Sequence, residues 1–354
     1  MTNKTLNIIG VMSGSSMDGL DVALCTFSYY KKQIHYNILK SETFSYPKNI
    51  TQLLHNIRNT SSEDFFEKDV IYGKWIGKKI DTWIQKHHLN VDAISIHGHT
   101  VFHYPEKGYS VQLGNAAQIA AICQKPVVHN FRNLDIAFSG QGAPLVPIGD
   151  KLLFHQYDAC INIGGIANVF IQKTNTAFDI CIANLALNHF AEKLNYKYDK
   201  NGHLARQGRV HQPLLKQLNE LKYLKIKPPK SLNREYFEMD YLNVINKFKQ
   251  LNFNDILSIL TEHIAFQIAQ SISKPNIKNV IITGGGALNN YLIERIMYYA
   301  PDKNIVIPDT TLVKFKEALI FALLGYLRIL QIPNNVPLAT GAQKNICAGE
   351  IVYI

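Results

Sequence analysis

Three glycine-rich turns carry the clearest chemical signal in this chain. The first, Gly10 to Gly19 (GVMSGSSMDG), joins an apolar strand-like run, Leu6-Asn7-Ile8-Ile9, to a second, Leu20-Asp21-Val22-Ala23-Leu24-Cys25. Its glycines let the backbone turn, and Ser13, Ser15 and Ser16 add hydroxyls to N–H groups that can point at an oxyanion. The loop matches neither the Walker pattern GxxxxGK[ST] nor the dinucleotide pattern GxGxxG, and the segment after it alternates like a strand. It reads as a hairpin tip with the makings of a phosphate loop; taken alone, such a tip is most often just a turn. Ala159 to Ile171 (ACINIGGIANVFI) repeats the design around Gly164 and Gly165, with Asn168 at the start of the returning strand. Two such hairpins imply an internal duplication. In the third run, Gly284-Gly285-Gly286 follows the buried-type strand Asn279–Thr283 and precedes a predicted helix over Leu288 to Tyr299, placing a helix N-terminus above a glycine platform.

Charged and polar residues near these turns could complete a site. Asp18 suits a magnesium ion held largely by phosphate oxygens, and suits a plain turn nearly as well. Asp179 follows the predicted strand Thr176-Ala177-Phe178 and precedes a helix beginning near Ala183-Asn184, so it reads as either a helix cap or a general base. Arg132 and Asp135 offer a guanidinium for bidentate pairing with a carboxylate and an acid to orient it, or else a simple salt bridge. His97 and His99 share one face of a strand, with His103 nearby; no carboxylate or cysteine partner stands at zinc spacing, so they read as polar pocket lining. Gln112 and Asn115 flank Gly114 as further polar candidates.

The elements that must position these residues alternate strands with helices through about residue 140. They include an amphipathic stretch from Lys68 to His87 and a helix from Ala116 to Gln124. Gly140-Gln141-Gly142-Ala143-Pro144 and Pro147 form a glycine and proline hinge. Lobe one is read as residues 1–140 and lobe two as 141–354. Predicted helices over Ile256 to Ile272 and around Glu317 would pack on the second sheet, while Lys200 to Arg209 and Lys227 to Tyr236 are polar, turn-rich covers. At 354 residues and 47% hydrophobic composition the chain can build two lobes with ample core. Its five cysteines form no CxxC pair and read as reduced structural thiols of a cytoplasmic protein. No signal peptide is expected, and Ala318 to Leu330 is too short to span a bilayer and reads as a buried helix. The net charge of +10 is spread along the chain without a nucleic-acid-binding motif, so no nucleic-acid partner is expected.

The order of two phosphate hairpins and a glycine-rich adenosine turn resembles the actin, heat-shock protein and sugar-kinase superfamily. That resemblance implies an α/β, two-lobed, duplicated actin-like ATPase (ribonuclease H-like) fold with ATP in an interlobe active-site cleft. Eight ordered blocks narrow it further: GVMSGSSMDGLDVAL, SIHGHTVFH, VQLGNAAQIA, PVVHNFRNLDIAFSGQGAPLVP, INIGGIANV, PPKSLNREYF, TGGGALNN and ATGAQ. Across nearly the whole chain they resemble the anhydro-N-acetylmuramic acid kinases, which open 1,6-anhydro-N-acetylmuramic acid with water while phosphorylating O6. The products are N-acetylmuramic acid 6-phosphate and ADP, in cell-wall recycling.

The resemblance implies that ATP is held by Gly14, Ser15, Ser16, Met17, Asp18, Gly19, Leu20 and Asp21, by Gly164, Gly165 and Asn168, and by Gly284, Gly285 and Gly286. It implies Mg2+ at Asp18, Asp179 as catalytic base, and an amino-sugar site drawn from His97, His99, Gln112, Arg132, Asp135, Asn184 and Glu317. A cytoplasmic homodimer is the family precedent. Three departures stand out. The family's FDTGPGN is here Phe178-Asp179-Ile180-Cys181-Ile182-Ala183-Asn184; His99 replaces a glutamine; and Lys316 replaces an acidic residue beside Glu317. Bulk at 180–183 could narrow the pocket, so a sugar kinase of altered specificity and a non-catalytic nucleotide or sugar sensor remain open at this level.

Overall fold

The computed structural model describes residues 4–14, 17, 19–31, 33–228 and 230–354. Strands β1 (Leu6–Ser13), β2 (Leu20–Tyr30) and β3 (Gln33–Phe44) form an antiparallel meander. Strand β4 (Ala93–Ile96) lies parallel to β1; β5 (His99–Tyr104) and β6 (Tyr109–Leu113) make a separate hairpin; and β7 (Val127–His129) runs parallel to β4. Strands β8 (Ala159–Ile163), β9 (Ile166–Ile171), β10 (Thr176–Ile182), β11 (Asn279–Thr283) and β12 (Asn304–Val306) build a second sheet. The first sheet has the order β3-β2-β1-β4-β7 and the second β10-β9-β8-β11-β12. In each, a three-stranded antiparallel meander is extended by two parallel strands. The duplication expected from the two glycine hairpins is therefore present in the topology, and the chain has the two-lobed α/β fold.

Two compact units result: residues up to Leu153 together with Phe315–Ile354, and Phe154–Lys314. The glycine and proline hinge places everything after residue 140 in the second lobe, whereas the last forty residues belong with the first unit. Packing explains the difference. The helix Thr310–Ile329 lays Ala318 and Ala322 directly on Gly10 of β1, where any Cβ would collide with the Ala318 carbonyl. The final strand, β13 (Glu350–Val352), pairs antiparallel with β7. Gly10 thus serves helix-on-sheet contact rather than the turn.

Local signals account for the main helices. Helix Ser62–His87 starts on Ser61, whose hydroxyl accepts the Asp64 amide at 3.1 Å, with Glu63 and Asp64 in its first turn and Lys86 and His87 in its last. It buries Tyr72, Ile76, Ile80, Trp83 and Ile84 along one stripe against the first sheet. Helix Phe253–Ser271 is capped by Asn252 and runs through the second unit's core. Among the described residues no helix is long and apolar enough to cross a membrane, and all five cysteines are free thiols.

That central helix carries a wholly buried histidine. His263 donates through Nδ1 to Asn219 at 2.7 Å, and burial pushes its pKa down to about 3. Its folded pKa lies below the unfolded value, so the neutral ring's contribution is complete above about pH 6.5 and is lost as pH falls toward 3. Between pH 6 and 5 this group alone should lower unfolding free energy by about 1.2 kcal/mol. Urea titrations of wild type and His263→Gln at both pH values check it: the variant should show the shallower loss, and equal slopes would exclude the assignment.

Candidate active site

In the second unit, strand register assembles a polar row. Asn162 of β8 pairs with Asn168 of β9, Asn168 pairs with Asp179 of β10, and Thr283 of β11 pairs with Asn162. Directly opposed residues share one face of a sheet, so the row lies opposite the face on which Ile161, Ile163, Ala167 and Val169 enter the core. It sits at the carboxyl ends of the parallel strands, beside Gly164-Gly165 and Gly284-Gly285-Gly286, the usual place for a ligand in such sheets.

Asp179 is neither at a strand end nor a helix cap. Strand β10 continues through Ile182 with a bulge between Asp179 and Cys181, and Ala183 is the N-cap position of the following helix, Asn184–Glu192. The apolar Ile180-Cys181-Ile182 run prolongs the strand, and the bulge re-aims its side chains. The Asp179 Oδ2 accepts the Leu232 amide at 2.8 Å, its own amide donates to the Lys230 carbonyl at 3.2 Å, and its carbonyl accepts the Tyr223 hydroxyl at 2.8 Å. Burial raises its pKa above the ordinary carboxylate value, only partly offset by the Leu232 N–H and the Lys230 ammonium. One oxygen is tied down and the other has no partner among the described residues. This is the arrangement of an oriented base of raised basicity. The Lys227 to Tyr236 segment, read as a cover, is what grips Asp179; no local pattern announced that contact.

The glycine turns divide by steric role. A Cβ at Gly164, Gly165 or Gly285 would meet nothing closer than 3.6 Å, so packing does not demand glycine there, whereas one at Gly286 would strike Ile163. Room at those three positions suits a phosphate drawn close to main chain. The Gly164 and Gly165 carbonyls accept the amides of Ala183, Asn184 and Leu185, and the Asn184 Nδ2 donates to the Ile163 carbonyl at 3.1 Å, so this turn is braced on the next helix. A short 3-10 turn, Gly285–Leu288, starts within the third run and precedes the α-helix Asn290–Tyr299. The Asn289 side chain caps that helix, so its N-terminus does not open onto the glycines as expected.

In the first unit, Ser15, Ser16 and Asp18 lie outside the described residues. Around them, the Met17 amide donates to the Gly14 carbonyl at 3.2 Å, and Gly19 turns the chain into β2. Leu20 is 0% exposed, which leaves only its backbone to meet a ligand, and Asp21 accepts the Thr43 hydroxyl at 2.6 Å from the neighbouring strand. Among the described residues no three His, Cys, Asp or Glu side chains group closely enough to hold a metal.

His97 and Arg132 form the polar centre of this unit. Arg132 donates from Nη2 at 2.8 Å and Nε at 3.2 Å to His97 Nε2, and from Nη1 at 2.6 Å to the Gly142 carbonyl. Two of its five N–H groups therefore have no partner among the described residues. Burial pulls the Arg132 pKa down to about 10, with Glu317 and Asp135 opposing, so it stays charged at neutral pH. Asp135 does not bond to it: its carboxylate accepts from Gly142, Thr340 and Asn335 instead. Burial, then the Arg132 charge, push the His97 pKa well down, and the ring is neutral. Burial likewise raises the Glu317 carboxyl, reinforced by Asp21. A half-buried guanidinium with two N–H groups still to place can receive an anion.

His99 belongs to a second cluster that sequence reading missed. Ser13 Oγ accepts hydroxyls from Tyr46 at 2.8 Å and Tyr72 at 3.0 Å, which leaves its proton for His99 Nδ1 at 3.2 Å. Gln112 donates to Ser110 at 2.7 Å, which also contacts His103 at 3.0 Å. Asn115 is spent capping helix Ala116–Cys123 and bonding Asp69.

A family model described as anhydro-N-acetylmuramic acid kinase matches residues 6–354. The chain belongs to this family. It is 37% identical to an anhydro-N-acetylmuramic acid kinase of Francisella tularensis subsp. novicida, over 98% of both chains. The corresponding kinase of Clostridioides difficile is 33% identical over 97% of both, and that of Pasteurella multocida 33% identical over 99% of this chain and 98% of its own. Within this anhydro-N-acetylmuramic acid kinase family, two departures now have physical accounts. Ile180, Cys181, Ile182 and Ala183 are buried in the second unit's core, so their added bulk fills core space. Lys316 is buried too, with its ammonium 2.6 Å from the Asp150 carboxylate.

Proposed function

We propose that this chain is an ATP-dependent kinase that opens 1,6-anhydro-N-acetylmuramic acid with water and phosphorylates O6, giving N-acetylmuramic acid 6-phosphate and ADP. The full-length family match carries the reading, and the Asp179 carboxylate supports its chemistry. Asp179 takes a proton from water as the water oxygen bonds to C1; the C1–O6 bond breaks, and O6 receives the γ-phosphoryl group as ADP leaves. Gly164, Gly165, Asn168 and Gly285 of the second unit and the Gly14–Asp21 turn of the first are the groups assigned to ATP, with Gly284 and Gly286 shaping the adenosine turn. Mg2+ at Asp18 would neutralise phosphate charge. Arg132 pairs with the lactyl carboxylate, while His97, His99, Gln112, Asn184 and Glu317 complete the polar surroundings assigned to the sugar. A cytoplasmic homodimer follows family precedent. The burial of residues 180–183 removes the motive for an altered substrate.

The test is incubation with Mg-ATP and the anhydro sugar in 18O-water. One 18O should appear at C1 of the product and none in the phosphate, with ADP released in equal amount. ATP binding without ADP release would overturn the reading.

A further inference from the structure

The Ala339–Gln343 motif has no role in the chemistry above, yet it ends beside Arg132's support. Thr340 Oγ1 donates to Asp135 Oδ1 at 2.9 Å, and Asn335 Nδ2 donates to the same oxygen at 3.1 Å. Asp135 Oδ2 accepts the Gly142 amide at 2.9 Å, and the Gly142 carbonyl accepts Arg132 Nη1 at 2.6 Å. Gly142 is thus held through both its polar backbone groups. Its φ of +64° is open to glycine at no steric cost, and a Cβ there would press on Ile136. Two further backbone bonds lock the motif to the same loop, Gln141 N to the Thr340 carbonyl at 2.7 Å and Gln343 N to the Phe138 carbonyl at 3.0 Å. Asp135 and Thr340 are each 1% exposed. A buried polar trio costs desolvation that an apolar one would not, so its distinctive yield is fixed geometry.

We propose that Thr340 and Asn335, acting through Asp135 and the Gly142 peptide, are positioning residues that hold the Arg132 guanidinium in register for the substrate carboxylate. This rests on Arg132 being the carboxylate anchor. The effect should appear only with sugars that carry that carboxylate. Removing the hydroxyl lets the Asp135 carboxylate and the Gly142 peptide shift, and Arg132 then loses alignment without losing charge.

The experiment compares wild type, Thr340→Val, Thr340→Ala and Thr340→Ser on 1,6-anhydro-N-acetylmuramic acid and on 1,6-anhydro-N-acetylglucosamine, which lacks the lactyl carboxylate. The 15N-1H signal of Arg132 Nε is recorded in parallel. Valine and alanine should lower the acid-to-neutral ratio of kcat/KM about tenfold, through KM for the acid sugar, as loss of a hydrogen bond to a charged group does. Serine should recover most of the ratio, KM for ATP should not move, and the Arg132 signal should shift in the valine and alanine variants. An unchanged ratio in folded protein, an equal loss on both sugars, or an unmoved Arg132 signal overturns the proposal. Arg132→Gln separates the two readings. If it leaves the ratio unchanged, the carboxylate-anchor assignment fails, and the Arg132 signal alone then decides whether the relay exists.

Discussion

Asp179→Asn should fold and bind ATP but turn over the anhydro sugar at least about 10²-fold more slowly, the scale on which a lost general base is felt. The structure says why the variant should fold. Only one carboxylate oxygen is engaged, as acceptor of the Leu232 amide, and a carboxamide oxygen can take that bond unchanged. The backbone contacts to Lys230 and Tyr223 do not involve the side chain. What disappears is the proton-accepting oxygen. The wild-type pH profile offers a second check. Because burial raises the Asp179 pKa, the acid limb of kcat/KM should lie above the ordinary aspartate value, with activity present above that pKa and lost as pH falls through it. Steady-state kinetics with ATP-binding calorimetry on both proteins decide the matter. Turnover retained within about threefold, below what general-base catalysis supplies, would remove Asp179 from the role.

Elements whose determinants are local were legible in the sequence. Both glycine hairpins, the glycine run after β11 and the helix over residues 256–272 fall close to where turn chemistry and periodicity put them, because each depends on residues within a few positions. Sequence alone puts Asp179 at a strand end because alternation breaks at Ile180; the bulge there is set by pairing with β9, which no single strand encodes. The membership of the C-terminal forty residues in the first unit is not legible locally, because β13 pairs with β7 across more than two hundred positions, as Asn130 Nδ2 to Glu350 Oε1 illustrates. The Ser13, Tyr46, Tyr72 and His99 cluster was unreadable for the same reason. Its members come from separate segments and meet only when the β1 end, the helix Ser62–His87 and β5 pack together. Arg132 shows the middle case: its type pointed to carboxylate recognition, while its partners, a histidine ring and a carbonyl rather than Asp135, were a matter of tertiary structure.

Arg132→Gln should raise KM for 1,6-anhydro-N-acetylmuramic acid and lower kcat/KM by about 10²-fold or more, since removing one partner of a hydrogen-bonded charge pair that the bound sugar takes out of water costs about 2–5 kcal/mol. Glutamine keeps a donor but loses the charge and the planar fork, and it cannot reach His97 and Gly142 together. Arg132→Lys keeps the charge yet should recover little, because an ammonium offers no second parallel N–H to a carboxylate. The neutral analogue lacking the lactyl carboxylate should be nearly indifferent to both changes. His97 makes the prediction sharper. Its Nε2 accepts from Arg132, so the ring must be neutral, and both its burial and the neighbouring guanidinium hold it so. An imidazolium would turn an acceptor into a donor facing a cation. His97→Phe should therefore cost the acid sugar in KM while leaving KM for ATP unchanged. An arginine variant that loses turnover equally on acid and neutral sugars would instead assign Arg132 to the phosphoryl transfer itself, where its charge would meet the transferred phosphate.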